Sequence, residues 1–268
     1  MSTAQYYVDG PGYRWDLEDR DRLYAGGTPF EGFKGVAIPD EVDPREWLRT
    51  ENQGRMGSCR GHSLSTGMEF IYHGIVGEVV QFSPMWCYLR TQKRDGLLGS
   101  DRGSTIENGV KVAVEEGVCR ESVFPYPDPV RYSTRIPARA DEDAANYKAG
   151  RYSPIESYDQ AIEWIGSGQG YVDFGGPWPF RHSGGRVDRW QPTGRSGHAM
   201  AFCGFSRAGR LIQFNSHSEQ SGDDGEFLWT PDAFNGACRD RRCSIIGVSD
   251  MPTAQAREID FLKTSMIR

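Results

Sequence analysis

No apolar run in this chain approaches the ~18–20 residues that a membrane-crossing helix needs. Basic residues are not in excess: 31 Lys and Arg stand against 37 Asp and Glu, for a net charge of −6. That balance argues against a nucleic-acid binder, which carries a basic face, and against adhesion to an anionic membrane or cell wall. Met1 to Arg20 lack the basic start and apolar centre of a signal peptide. A cytoplasmic or virion-associated location is therefore expected over a secreted one. The six cysteines, Cys59, Cys87, Cys119, Cys203, Cys238 and Cys243, include no Cys-x-x-Cys pair, and no second close Cys/His pair completes a zinc set. The expectation is a reduced compartment, with most of the six as small buried apolar residues and neither metal nor cofactor. Cys238 and Cys243 are near enough in sequence for a turn to bring them together, but are expected to stay unbridged. Internal repeats and low-complexity tracts are also missing.

What remains is the composition of a globular protein: 37% hydrophobic and 25% charged over 268 residues, enough for one large domain or two small ones. Seven Trp, twelve Tyr and thirteen Phe supply core volume, and 33 Gly with 15 Pro imply many loops. Residues 1–36 show no period and read as an extension that wraps a surface or is partly disordered. Leu64, Met68, Ile71 and Tyr72 recur at helical spacing after Cys59. Ser83-Pro84 starts a second helix, with Ser at the N-cap and Pro at the first position. Ser104 with Glu107 has the capping-box spacing for a third, and Gly117 is placed to end it. Phe124 to Pro129 reads as a crossover. Strands are predicted over 171–174, 198–205, 211–215, 226–229 and 244–248, with a short helix near 159–165 and a hairpin turn at Ala208-Gly209. Helices first and strands second is an α+β order. Four segments follow: an extension over 1–36, a helical half over 37–140, a β-rich half over 141–252 and a tail over 253–268. The tail carries Ile259, Leu262 and Met266 at helical spacing, suited to docking on the body or on another subunit, or to a frayed surface helix.

The most informative run is Gln53-Gly54-Arg55-Met56-Gly57-Ser58-Cys59. Far downstream stand Gly197-His198-Ala199 and Phe214-Asn215-Ser216, with His198 139 residues and Asn215 156 residues after Cys59. Cys, His and Asn in that order, with Gln upstream of the Cys, are the parts of a thiol acyl-transfer site. Cys59 is the candidate nucleophile. Only a thiolate attacks a carbonyl, and an ordinary thiol pKa near ~8.5 leaves few thiolates at neutral pH. The N-terminus of the following helix and an imidazolium at His198 are the groups that would lower it, with Arg60 adding to them if it points inward. His198 would then protonate the leaving amine, and Asn215 would hold the other ring nitrogen. Gln53 would donate to the developing oxyanion beside the Cys59 N–H, each donor contributing ~3–4 kcal/mol. Taken singly, each has a plainer reading: an inert buried cysteine, a turn-forming Asn at a strand end, a loop-packing Gln. His62, His73 and His182 fit structural or solvated roles.

These residues resemble those of papain-like cysteine proteases, and the resemblance covers most of residues 37–250. Ile38 to Asp43 looks like the start of the mature enzymes, Asn52 to Cys59 like their nucleophile loop, and Phe82-Ser83-Pro84 like the start of their second helix. Gly117-Val118-Cys119 with Phe124-Pro125-Tyr126 is similar to their interdomain crossing. Gly197-His198-Ala199, Asn215-Ser216, Gly222 and Gly225-Glu226-Phe227 resemble their His and Asn segments. The Cys–His gap is close to the ~130–150 residues of that family. The resemblance implies a mainly helical half packed on a β-barrel-like half, with Cys59 and His198 on facing walls of a cleft. It also implies an extended peptide bound by backbone bonds at Gly103, Ser104 and Gly197. Four departures stand out. Met56 replaces a disulfide cysteine, as in shorter bacterial and phage-type relatives. Arg60 replaces the aromatic after the nucleophile. His217 and Ser221 replace aromatics, the first of which shields the Asn–His bond, and a less shielded site is slower. Residues 1–36 are short for an inhibitory helix-bundle prodomain, so control of that kind is not expected.

The leading expectation is a cysteine endopeptidase acting on peptide or isopeptide bonds through an acyl-enzyme. The alternatives are a weak or inactive papain-fold component of a larger assembly such as a viral particle, joined through the terminal extensions, and a peptidoglycan-peptide hydrolase.

Overall fold

The computed structural model describes residues 12–32 and 35–249. The helical pattern expected over 254–268 lies outside them. Five of the seven described helices precede the first strand. α1 spans Arg20–Gly26, α2 Cys59–Val76, α3 Pro84–Asp95, α4 Ile106–Lys111, α5 Ala138–Ala144, α6 Tyr158–Gly166 and α7 Pro231–Arg239. α2 is buried on all sides through its first turns rather than amphipathic, because α3 covers one face and the sheet another. Gly67 permits the second contact: a Cβ there would lie 2.2 Å from the Tyr171 ring. At the start of α3 the Ser83 hydroxyl accepts from Trp86 N at 3.0 Å and Pro84 holds the first helical position.

The predicted cap of the third helix is displaced by one residue. Thr105 Oγ1, not Ser104, accepts from Asn108 N at 3.2 Å. Glu107, its side chain buried, pairs with Arg22 and Lys111, each at 2.7 Å, instead of closing a capping box. The helix then widens into a single π turn over Val112–Glu116 and stops at Gly117, where φ is +92°. α1, α5 and α7 are not among the predicted elements. Of these α7 carries a clear start signal, since Thr230 Oγ1 caps Ala233 N at 3.3 Å and Pro231 follows it.

The strands are β1 Tyr152–Pro154, β2 Gly170–Phe180, β3 Arg186–Val187, β4 Pro192–Phe205, β5 Leu211–Phe214, β6 Glu226–Trp229 and β7 Ser244–Ser249. They form one sheet in the order β1-β7-β2-β4-β5-β6-β3, antiparallel except at β3–β6. Its edges are β1 and β3. β2 runs six residues past its predicted end, through Gly175-Gly176-Pro177-Trp178-Pro179, a composition that hides a strand. One core lies between α2, α3, α4 and the sheet, and a second on the sheet's other side gathers Trp164, Phe174, Phe202, Trp229 and Phe234. Each such buried aromatic contributes about 1.5–3 kcal/mol by leaving water. All six cysteines are free, Cys238 and Cys243 included. None of the described helices is long and apolar enough to cross a membrane. Among the described residues no cluster of three or more His, Cys, Asp and Glu is placed to hold a metal ion.

Candidate active site

Cys59 is the first residue of α2 and fully buried. The loop before it is tied down by side chains. Asp101 accepts from Gly57 N at 3.0 Å and from the Tyr88 hydroxyl at 2.6 Å. The Ser58 hydroxyl bonds Tyr126 Oη at 2.7 Å instead of capping its own helix, and Tyr126 donates to Gln53 O at 3.0 Å. Arg60 points inward, where it forms a 2.8 Å ion pair with Asp173 of β2, both side chains being fully buried. Ser63 Oγ donates to the other Asp173 oxygen at 2.5 Å. Space for the guanidinium exists because residue 109 is glycine; a Cβ there would sit 2.1 Å from Arg60 Nε.

On the opposing wall His198 lies in β4, paired with Gly176 of β2. Its Nε2 bonds Asn215 Oδ1 at 2.7 Å. The amide's orientation is fixed from both ends: Ser216 N donates to Oδ1 at 2.8 Å, and Nδ2 donates to Ser221 Oγ at 3.0 Å. An amide oxygen only accepts, so Nε2 carries the proton and Nδ1 of the neutral ring is left with its lone pair. Gln53 joins the same network. Its N–H donates to Ser216 O at 2.8 Å, its Oε1 accepts from Ser216 Oγ at 2.6 Å, and its Nε2 donates one hydrogen to Met56 O at 2.6 Å, which leaves the other. The two walls meet at the sulfur, where Ala199 N, next in chain to His198, donates to Cys59 Sγ at 3.3 Å. The bond to the sulfur comes from this backbone group rather than from the imidazole.

His217 stacks on His198 with ring centroids 4.4 Å apart and planes at 16°. Trp178 of β2 adds a second ring, 4.8 Å from His198 and 5.5 Å from His217. The aromatic cover missing after Asn215 thus arrives from a different strand, out of the Gly175–Phe180 run. Ser221 is no gap either, since it anchors the Asn215 amide. Asp101, Tyr126, Asp173 and Trp178 have no local signature in the sequence, because their partners in the site lie 20 to 113 residues away. His62 bonds Glu51 at 2.6 Å and packs edge-on against Tyr126 at 4.7 Å, beside this network, while His73 stacks on Trp47 at 3.7 Å.

The N-terminal extension does not simply wrap a surface. Gly12 lies against the sulfur, so that a Cβ on it would be 2.6 Å from Cys59 Sγ. Tyr13 N donates to Gly197 O at 3.1 Å, Ser104 N donates to Gly12 O at 2.9 Å, and Arg14 N donates to Ser104 O at 3.0 Å. This is a parallel bridge between Tyr13 and Ser104. Of the three predicted peptide-binding positions, Ser104 and Gly197 hold this strap. Gly103 does not: its N–H goes to Tyr88 Oη and its carbonyl to Gln92 Nε2, each at 3.1 Å. Beyond the cleft Glu18 accepts from Ile106 N and Glu107 N, both at 2.7 Å, and Arg22 pairs with Glu107. An extension too short for a helix bundle is long enough to lay one strand across a groove.

Burial sets the electrostatics of both groups. Burial pushes the Cys59 thiol up to about 12, against the pull of the Ala199 N–H, the Arg60 charge and the Arg60 N–H. Burial, then the neighbouring His217, holds His198 well below the usual imidazole range, against its bond to Asn215. Desolvation opposes both charges of a thiolate–imidazolium pair, so in this conformation both groups are neutral.

No protein-family model matches the sequence, and no curated protein matches it. Solved structures do. Xylellain, a cysteine protease from Xylella fastidiosa, superposes with a TM-score of 0.72 at 23% identity, over 94% of this chain and 100% of its own. A cysteine protease of Carica candamarcensis, solved in complex with E-64, gives 0.60 at 19% identity over 80% and 100%. The ragweed pollen allergen Amb a 11, a cysteine protease in its proform, gives 0.64 at 17% identity over 91% and 76%. From α2 to strands β4 and β5, the architecture of this chain is the papain-like cysteine-protease fold.

Proposed function

We propose that the protein is a cysteine peptidase, seen here with its own chain laid across the cleft. One observation carries this: Cys59 opens α2 directly against the backbone of His198–Ala199, while His198 is bonded to Asn215 in the tautomer that leaves Nδ1 free. With the strap gone and water admitted, the desolvation that keeps both groups neutral is relieved. The thiol proton passes to His198 Nδ1, and the thiolate attacks a peptide carbonyl. The oxyanion is met by the Cys59 N–H and the spare hydrogen of Gln53 Nε2. His198 returns its proton to the leaving amine, which departs as the thioester forms. Water, deprotonated by His198, then adds to the thioester and expels Cys59 with a free carboxylate. Each donor fixed in place before reaction contributes about 3–4 kcal/mol.

The reading of an inactive assembly component rests on lost aromatic cover and on the terminal extensions; the rings of Trp178 and His217 beside His198 weigh against its first ground. The test is labelling by a thiol-directed epoxide at neutral pH, on the full chain and on a strap-loosened Tyr13→Ala chain, with the modified cysteine located by mass spectrometry. A Cys59 adduct that forms faster in the loosened chain, with cleavage of unfolded casein lost in Cys59→Ala, is the expected outcome. A folded, loosened chain that neither labels at Cys59 nor cuts casein ends the proposal.

A further inference from the structure

A second cleft, of about 860 Å³, shares no lining residue with the catalytic network. Its walls come from residues 41–50, which lead into Gln53, and from residues 219–226, which follow Asn215. The walls meet where Gly225 backs onto Thr50: a Cβ on Gly225 would lie 2.4 Å from Thr50 Oγ1. Seven carboxylates line this cleft against two guanidinium groups. Arg45 is paired with Asp43, and Glu41 reaches Arg207 at 3.8 Å. Glu46, Glu219, Asp223 and Asp224 have no ion-pair partner among the described residues. Glu226 is only 8% exposed. One of its oxygens accepts a 3.3 Å bond from Thr50 Oγ1, and the other has no partner among the described residues. A buried carboxylate left in that state is costly until a cation reaches it. Burial holds Glu226 up to about 7, against the Thr50 bond and the Arg45 charge, with Asp224 and Asp223 adding to the rise.

The carboxylates ring the cleft instead of converging. Among the described residues no three His, Cys, Asp or Glu are placed to hold one metal ion, and the volume is that of a pocket for a ligand of many atoms. Several cations on one flexible chain meet dispersed carboxylates that a single ion cannot. Guanidinium suits the task best, being weakly hydrated and able to give a carboxylate two parallel bonds. We propose that this cleft is a docking site for an arginine-rich segment of a partner protein, with Glu226 as its buried anchor. The inference goes beyond the peptidase reading and does not need it, because binding is read without turnover.

The test is calorimetric titration of the full chain at low salt with acetyl-tetra-arginine amide, with acetyl-tetra-glutamine amide and calcium chloride as the other titrants. Saturable one-to-one binding of tetra-arginine, and none of tetra-glutamine, is expected. Asp223→Asn with Asp224→Asn removes two exposed charges and weakens binding about three- to tenfold. That pair keeps the fold, since Asn accepts the φ of 51° found at Asp224. Glu226→Gln keeps an acceptor for Thr50 and weakens binding about tenfold. Affinity rises between pH 6 and pH 8 in the parent as Glu226 ionises, and the rise is absent in Glu226→Gln. Glu78→Gln with Glu142→Gln removes two exposed carboxylates elsewhere and is expected to change binding less than twofold. Equal weakening by this control pair would show general charge attraction and overturn the proposal. Absent binding of tetra-arginine, a pH rise that persists in Glu226→Gln, or displacement of the peptide by calcium at matched ionic strength overturns it too. Should Glu226→Gln not fold, the Asp223–Asp224 pair measured against the control pair decides.

Discussion

The two walls of the cleft are built by different means. The sulfur wall depends on side chains: Asp101 on the Gly57 N–H, Tyr126 on Ser58 and Gln53, and a fully buried Arg60–Asp173 pair that ties the first turn of α2 to β2. The imidazole wall depends on backbone. His198 is held in the β2–β4 ladder, Asn215 directly follows β5, and rings rather than charges cover them. A wall of polar tethers concentrates its stability in a few contacts whose loss strands a buried group. A wall of ladder bonds spreads stability out and leaves its side chains to tune the chemistry. Substitutions on the first are therefore expected to cost stability, and on the second, activity.

The largest effect is expected at Asp173. Asp173→Ala leaves the Arg60 guanidinium buried without its counter-charge, a loss of about 3–5 kcal/mol. Chemical denaturation measures it directly. Replacing both partners together, Arg60→Leu with Asp173→Leu, is expected to recover most of the loss, because the pair's attraction is offset by the desolvation of both ions. A single variant as stable as the wild type would place the strength of the sulfur wall elsewhere.

Next in size is the acid response of His217, which belongs to the imidazole wall. Burial, with a smaller contribution from His62, holds His217 down to about 4. The folded protein therefore takes up this proton less readily than the unfolded chain, whose histidine titrates near ~6.5. The resulting stability is present above pH 6.5 and is lost as pH falls from there to about 4, up to about 3 kcal/mol in all. His217→Phe keeps a ring on His198 and removes that part of the acid dependence. Denaturation midpoints for the two chains, measured from pH 7 to pH 4, are expected to diverge in favour of the variant. Parallel curves would mean that His217 charges without cost in the fold.

A smaller effect in energy, but one confined to chemistry, is expected at Asn215. Asn215→Ala frees the imidazole to rotate and to change tautomer. In the loosened Tyr13→Ala chain it should lower kcat/KM about 10- to 100-fold, or about 1.4–2.7 kcal/mol. The denaturation midpoint should move by less than that of Asp173→Ala. The reverse pattern, activity kept and stability lost, would break the contrast between the walls.

The sequence reveals these walls unequally. The loop before Cys59, the start of α3, and the segments around His198 and Asn215 are legible because each is a local pattern of capping, glycine spacing or strand alternation. Ser83-Pro84 illustrates the case, since its cap needs no partner more than three residues away. Asp173, Trp178 and Asp101 are illegible for the opposite reason: their partners lie 113, 20 and 44 residues off in the chain, and only the fold brings them together. The strap is hidden in another way. Gly12, Tyr13 and Arg14 act through main-chain bonds, which any residues provide, and the fit of Tyr13 depends on glycines more than 160 residues downstream. The displaced cap at Thr105 follows from the same contact, because the Ser104 backbone is taken up by the strap.

Ser221 offers the finest test of the contrast. Its hydroxyl accepts from Asn215 Nδ2 at 3.0 Å and so opposes a half-turn of the amide. A turned amide would face His198 Nε2 with a donor, force the ring proton onto Nδ1, and leave the thiol without a base. Ser221→Ala removes one of two restraints, while Ser216 N still bonds Oδ1. The cost is one partly exposed hydrogen bond, about 0.5–1.5 kcal/mol, and the expected result is a fall of a few-fold in kcat with stability nearly unchanged. Nitrogen chemical shifts of the His198 ring report the tautomer directly. They should show Nε2–H alone in the parent and a measurable Nδ1–H fraction in Ser221→Ala. An unmixed Nε2–H ring together with lowered kcat would mean that Ser221 acts on something other than the orientation of Asn215.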